Sequence, residues 1–124
     1  MLQTELESIV ERLDPSCAAV EAPFHGASAR SALQLAHARG VVLAVLARTG
    51  LSVEEYSPAS VKKSVTGSGR ADKHQVASII DRLLGLTADR RSHDVSDALA
   101  VALCHLAAAS LGAAVARSQR RIVR

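Results

Sequence analysis

The sequence predicts an α/β fold built on a parallel sheet of which this chain carries two strands. Three observations predict it. The run Cys17–Glu21 is apolar up to its last residue and is bounded by Pro15 and Pro23, as a short buried strand is. An apolar-rich helical stretch covers 28–48. Ser52–Tyr56 then alternates apolar and polar residues in the manner of a second strand. A strand–helix–strand unit implies a parallel pair joined by a right-handed crossover. Two parallel strands alone do not make a stable sheet, because such sheets need both faces covered and more strands. At least one further strand is expected, from a segment upstream of Met1 in preference to another chain.

The elements follow in the order α-β-α-β-α-α-α. Leu2, Leu6, Ile9, Val10 and Leu13 recur at helical spacing, and Asp14-Pro15 stops that helix. Phe24-His25-Gly26 reads as a loop. Thr49-Gly50 ends the second helix, with Gly50 suited to the left-handed position. Ser57 followed by Pro58 predicts an N-cap and first-turn proline for a short third helix containing Val61, Lys62 and Val65. Residues 66–70 read as a flexible Gly-rich loop. Asp72 with Gln75 three residues on predicts a capping box, and Gly85 ends the fourth helix. A polar, basic connector covers 87–91. The last helix is expected from near Asp94, fading over 117–124 into a basic tail. The expected domains are a partial nuclease-like domain over 1–110 and the tail over 111–124.

Composition narrows the class. Phe24 and Tyr56 are the only aromatics, so the core must be aliphatic and Ala-rich, and an aromatic in a loop asks for an explanation. Residues 1–57 carry four Lys/Arg against seven Asp/Glu, net −3, while 58–124 carry eleven against five, net +6. A basic half suits a phosphate-backbone partner, and equally a solvated surface. Cys17 and Cys104 have no motif spacing and read as small buried residues of a reducing, cytoplasmic compartment. Residues 2–10 alternate apolar with Gln and Glu, unlike a signal peptide. The stretch 98–116 approaches membrane-span length, but its Ala content, His105 and Ser110 favour a buried helix over a membrane one.

Three acids carry the chemistry. Glu21 closes an apolar strand and should emerge at the carboxyl edge of the sheet, where open α/β sheets bind ligands. Asp94 and Asp97 lie three apart at the head of a helix, on one face. Such carboxylates suit Mg²⁺, and two such ions roughly 4 Å apart would activate water and stabilise a leaving oxygen in phosphodiester cleavage. An acid at an N-cap with another at N3 is equally an ordinary helix start, and Glu21 equally a strand-end residue facing water. The loop 66–70 with Lys62, Lys63 and Lys73 is a second candidate, for phosphate, although it lacks the Lys-Ser/Thr pair of a P-loop. The five histidines show no zinc spacing with the cysteines; His93, beside Asp94, is within reach of a metal or phosphate but reads first as a surface residue.

Read as ordered segments, these pieces resemble the RuvC crossover junction endodeoxyribonucleases. The resemblance runs through Ala19-Val20-Glu21 with Phe24, Ser31-Ala-Leu-Gln-Leu35, Ala38-Arg39-Gly40 and Tyr56-Ser-Pro-Ala-Ser-Val-Lys62. It continues through Gly67-Ser-Gly69, Ala71-Asp-Lys73 with Gln75-Val76, and Asp94-Val-Ser-Asp97-Ala-Leu-Ala100, covering about 2–108. It implies a ribonuclease-H-like fold and a nuclease that resolves Holliday junctions in recombination and repair with two Mg²⁺ ions per site. Glu21, Asp94 and Asp97 match three of the family's four metal-binding catalytic positions. Lys62 and Lys73 match basic residues serving DNA binding and catalysis, and Phe24 an aromatic that contacts bases where strands separate. The resemblance further implies a homodimer formed through the helix over 28–48, four-way junction DNA as substrate, a RuvA–RuvB partner complex, and no membrane. The family's first catalytic acid, in an Asp-x-Gly strand, and the meander around it have no match here. The competing expectation is therefore a non-catalytic DNA-binding remnant; a helical interaction or membrane-associated protein is a third, resting on the last helix alone.

Overall fold

Seven elements follow one another in the expected order. The structure, a computed structural model, describes residues 1–23, 28–87 and 92–122. Helix α1 spans Leu2–Leu13, strand β1 Cys17–Glu21, α2 Ala29–Arg48, β2 Ser52–Tyr56, α3 Pro58–Thr66, α4 Lys73–Leu84 and α5 His93–Ile122. They fall into two compact units, Met1–Glu55 and Tyr56–Arg124.

In the first unit, α1 stops because Asp14 turns left-handed (φ 43°) and donates its N–H to the Val10 carbonyl, just before Pro15. β1 and β2 pair as a two-stranded parallel sheet. The connecting helix α2 starts where the Ser28 hydroxyl accepts from the Ser31 amide, 3.3 Å. It ends at Arg48, and Gly50, two residues on, has a φ of 74° that suits a residue without Cβ. Val45 and Leu46 are the buried residues of α2. Arg48 pairs with Glu7 of α1 at 3.1 Å; so exposed a pair contributes little. Leu33, Leu35 and Val41 of α2 are exposed.

The second unit is three helices around an aliphatic core. Val61 of α3, Ala71, Val76 and Ile80 of α4 and its approach, and Ala100, Val101 and Cys104 of α5 are buried. Ser57 caps α3 by accepting from the Ser60 amide, with Pro58 at the first turn. Asp72 and Gln75 form the expected capping box of α4: Asp72 accepts from the Gln75 amide at 2.9 Å and its own amide donates to Gln75 at 3.0 Å. Gly67 and Gly85 close α3 and α4 in left-handed conformations.

Four expectations change. The segment 66–70 is not a loose loop but the end of α3 and a tight turn. The Thr66 hydroxyl donates to the Ser68 carbonyl and accepts from the Ser68 amide, and the Ser68 hydroxyl accepts from the Arg70 amide. Helix α5 starts at His93, near Asp94 as expected, with the Ser92 hydroxyl accepting the first-turn amide of Val95. It also continues to Ile122 instead of fading from Arg117. Its burial ends at Cys104: Leu106 is 59 % and Leu111 67 % exposed, so only its first half is the buried helix expected. By length and composition alone α5 is long and apolar enough to cross a membrane. Cys104 is buried as expected, whereas Cys17 is half-buried. The expected loop at Phe24 and most of the connector over 87–91 lie outside the described residues.

Candidate functional site

Glu21 ends β1 and is exposed. The backbone there is held from α2: Arg39 donates through Nη1 to the Glu21 carbonyl at 2.6 Å, and its Nη2 pairs with Glu55 Oε2 at 2.6 Å. The Arg39 side chain is only 19 % exposed. Arg39 appeared in the sequence only as part of the Ala38-Arg39-Gly40 match. Its partners lie 18 and 16 residues away in sequence, so no local pattern reveals them.

Asp94 and Asp97 occupy the first turns of α5 and are both exposed. At 100° per residue Asp97 continues the stripe that buries Val101 and Cys104, and Asp94 lies about 60° from it. The packed face of α5 thus runs out into two carboxylates at the helix head. Because Ser92 accepts the Val95 amide, Asp94 is not consumed as the cap. The ordinary helix-start reading therefore accounts for the charge at this end, through the macrodipole, but not for a capping bond. Two acidic oxygen donors on one face fit a hard divalent cation in donor chemistry. They share the second unit, while Glu21 belongs to the first, and among the described residues no three His, Cys, Asp or Glu side chains form a group able to hold a metal.

Lys62 is half-buried on α3 and Lys73 is exposed at the start of α4. The turn between them spends most of its backbone amides on its own carbonyls and hydroxyls. The amides of Gly67, Ser68, Arg70 and Ala71 are engaged within the chain. His93 is exposed, and with His74, Ser78, Arg82 and Ser96 it lines a cleft of about 550 Å³ between α4 and α5. Phe24 lies outside the described residues.

The parallel β-α-β unit and the helices beyond it are those of the ribonuclease-H-like nucleases. The Thermus thermophilus RuvC structure is matched with a TM-score of 0.80 at 35 % identity, over 90 % of this chain and 67 % of that one. A second structure, T. thermophilus RuvC in complex with Holliday junction substrate, is matched with a TM-score of 0.83 at 32 % identity over the same shares. The family model described as Crossover junction endodeoxyribonuclease RuvC matches residues 1–105, and this chain belongs to that family. A relative of the same description from Sorangium cellulosum is 46 % identical over 117 residues, 94 % of this chain. Another from Moorella thermoacetica is 48 % identical over 100 residues, 81 % of this chain. The chain spans 65 % and 60 % of the length of these two relatives.

Proposed function

We propose that this chain acts in the resolution of four-way DNA junctions, as a structure-selective endonuclease that hydrolyses phosphodiesters with divalent metal. The observation that carries this reading is the TM-score of 0.83 to a RuvC bound to Holliday junction substrate, together with two acids, uncommitted to capping, at the head of α5. Asp94 and Asp97, with Glu21 and a fourth acid that has no match in this chain, would hold Mg²⁺, two ions per site in the full reading. A bound cation supplies Lewis acidity at the phosphoryl oxygen and lowers the pKa of a water. The work of the other side chains is positional. Lys62 and Lys73 hold backbone phosphates as point charges, and Phe24 stacks on an unpaired base at the junction centre.

The same reading takes the helix over 28–48 as the homodimer interface, its Ala and Gly residues permitting close approach. Two-fold symmetry then presents one site to each of two symmetric strands. A RuvA–RuvB complex as partner, a cytoplasmic setting, and a nuclease domain over 1–110 with a basic tail over 111–124 complete the proposal. The test is cleavage of a labelled synthetic four-way junction with and without Mg²⁺. Paired symmetric nicks that require Mg²⁺ support the endonuclease. Salt-sensitive junction binding without any cutting supports the non-catalytic DNA-binding reading instead.

A further inference from the structure

We propose that the cleft between α4 and α5 holds a backbone phosphate of the DNA strand, gripped by Arg82 and His74 of α4 against His93 of α5; the proposal rests on the junction-binding reading above. His74, Ser78 and Arg82 follow one another at four-residue steps, so they form one row along α4, and all three are exposed. At 100° per residue the row lies opposite the buried Val76 and Ile80. It is therefore the outer crest of the helix, and a cleft borders it on each side. On one side His93 and Ser96, at the head of α5, close a space of about 550 Å³. On the other, Thr66 and Ser68, at the end of α3 and just past it, close one of about 500 Å³.

Charge decides which side takes an anion. The cleft toward α3 is lined by Asp72, an exposed carboxylate. The cleft toward α5 is lined by Asp81, but that acid is half-buried with its Oδ1 covered. The exposed charge there is the guanidinium of Arg82, a planar fork of N–H donors that fits phosphate oxygens. Around it stand two imidazoles and the hydroxyls of Ser78 and Ser96, and an imidazole has an N–H to donate in either protonation state. Position names the partner. His93 precedes Asp94 and Ser96 precedes Asp97, so two walls of the cleft adjoin the carboxylates of the α5 head, while Lys73 adjoins His74. A strand held at Lys73 and at those carboxylates has this cleft beside it. Such a contact reads no base; it fixes the register in which the strand lies.

The experiment is a band-shift titration of a labelled synthetic four-way junction, without metal, at several salt concentrations. The side chains replaced are exposed, so the variants keep the fold. Arg82→Gln is expected to reduce the slope of log affinity against log salt by about 0.9. His74→Ala is expected to weaken binding roughly 2- to 10-fold, the worth of one hydrogen bond. Both losses should be the same on junctions of different arm sequence. Arg12→Gln, which removes an exposed charge at the end of α1, should change neither slope nor affinity. A single uncharged methylphosphonate, moved along the strands near the crossover, then locates the contact: at one position it weakens the wild type and leaves Arg82→Gln unaffected. A wild-type slope in Arg82→Gln overturns the phosphate site, and so does an equal response of the two proteins at every methylphosphonate position. A wild-type chain that binds no junction defeats the DNA reading itself, and the site with it.

Discussion

The phenolic oxygen of Tyr56 lies 2.8 Å from Nδ1 of His105, and the two rings meet edge to face with centroids 5.9 Å apart. Tyr56 is the last residue of β2 and stands immediately before Ser57, the cap of α3; His105 sits on α5, just past the buried Cys104. One aromatic of a chain that has only two thus joins the root of α3, which carries Lys62, to the helix that carries Asp94 and Asp97. Tyr56→Phe keeps the ring and deletes the hydroxyl. It is expected to lower stability by about 1 kcal/mol, the usual net worth of a partly buried hydrogen bond. Urea denaturation reads it, and an unchanged midpoint shows that the bond contributes nothing.

The Asp72–Gln75 box satisfies two amides at the start of α4. Asp72→Ala should destabilise the chain by roughly 0.5–2 kcal/mol, whereas Asp72→Ser, which also accepts from an N3 amide, should retain most of the stability. If serine and alanine behave alike in thermal denaturation, the cap is not what holds this helix start.

Ile80 is 0 % exposed and stands at the centre of the second unit, while Leu83 on the same helix is 64 % exposed. Ile80→Ala should cost about 2–5 kcal/mol and Ile80→Val about 0.5–1.5 kcal/mol. Leu83→Ala should stay within roughly 0.5 kcal/mol. Chemical denaturation of the three variants ranks them, and comparable losses at Ile80 and Leu83 would contradict the core drawn here.

Asp94 and Asp97 are exposed and accept no hydrogen bond from a described side chain, so their amide variants should fold normally. Asp94→Asn or Asp97→Asn is expected to cut four-way junctions at least roughly 100-fold more slowly, the equivalent of several kcal/mol of lost charge stabilisation. Junction affinity in a band-shift assay without metal should be unchanged. Normal cutting by either variant removes that carboxylate from the proposed site.

Lys62 and Lys73 act in this reading as phosphate contacts. Each Lys→Ala change should weaken junction binding and reduce the slope of log affinity against log salt by about 0.9. An unaltered slope means that the lysine in question makes no phosphate contact.

The sequence by itself determined the element order, the stops and the caps. Asp14-Pro15, Ser57-Pro58, Asp72 with Gln75, and Gly67 and Gly85 act through backbone groups within about four residues of themselves, so the chain's later path does not alter them. It also placed Asp94 and Asp97 on one face, because helical spacing alone does that. The family, and through it the roles suggested for Glu21, Phe24, Lys62 and Lys73, came from matching motifs in order rather than from any local rule. The tertiary structure decided the rest. It gave the α5 cap to Ser92, filled the amides of Ser68 and Arg70 in the turn after α3 from within, and ended the burial of α5 at Cys104. It also brought Arg39 to Glu21 and Glu55, and Tyr56 to His105 across 49 residues. Such pairings depend on how the helices and strands lie once packed, and residue type at short spacing carries no information about that.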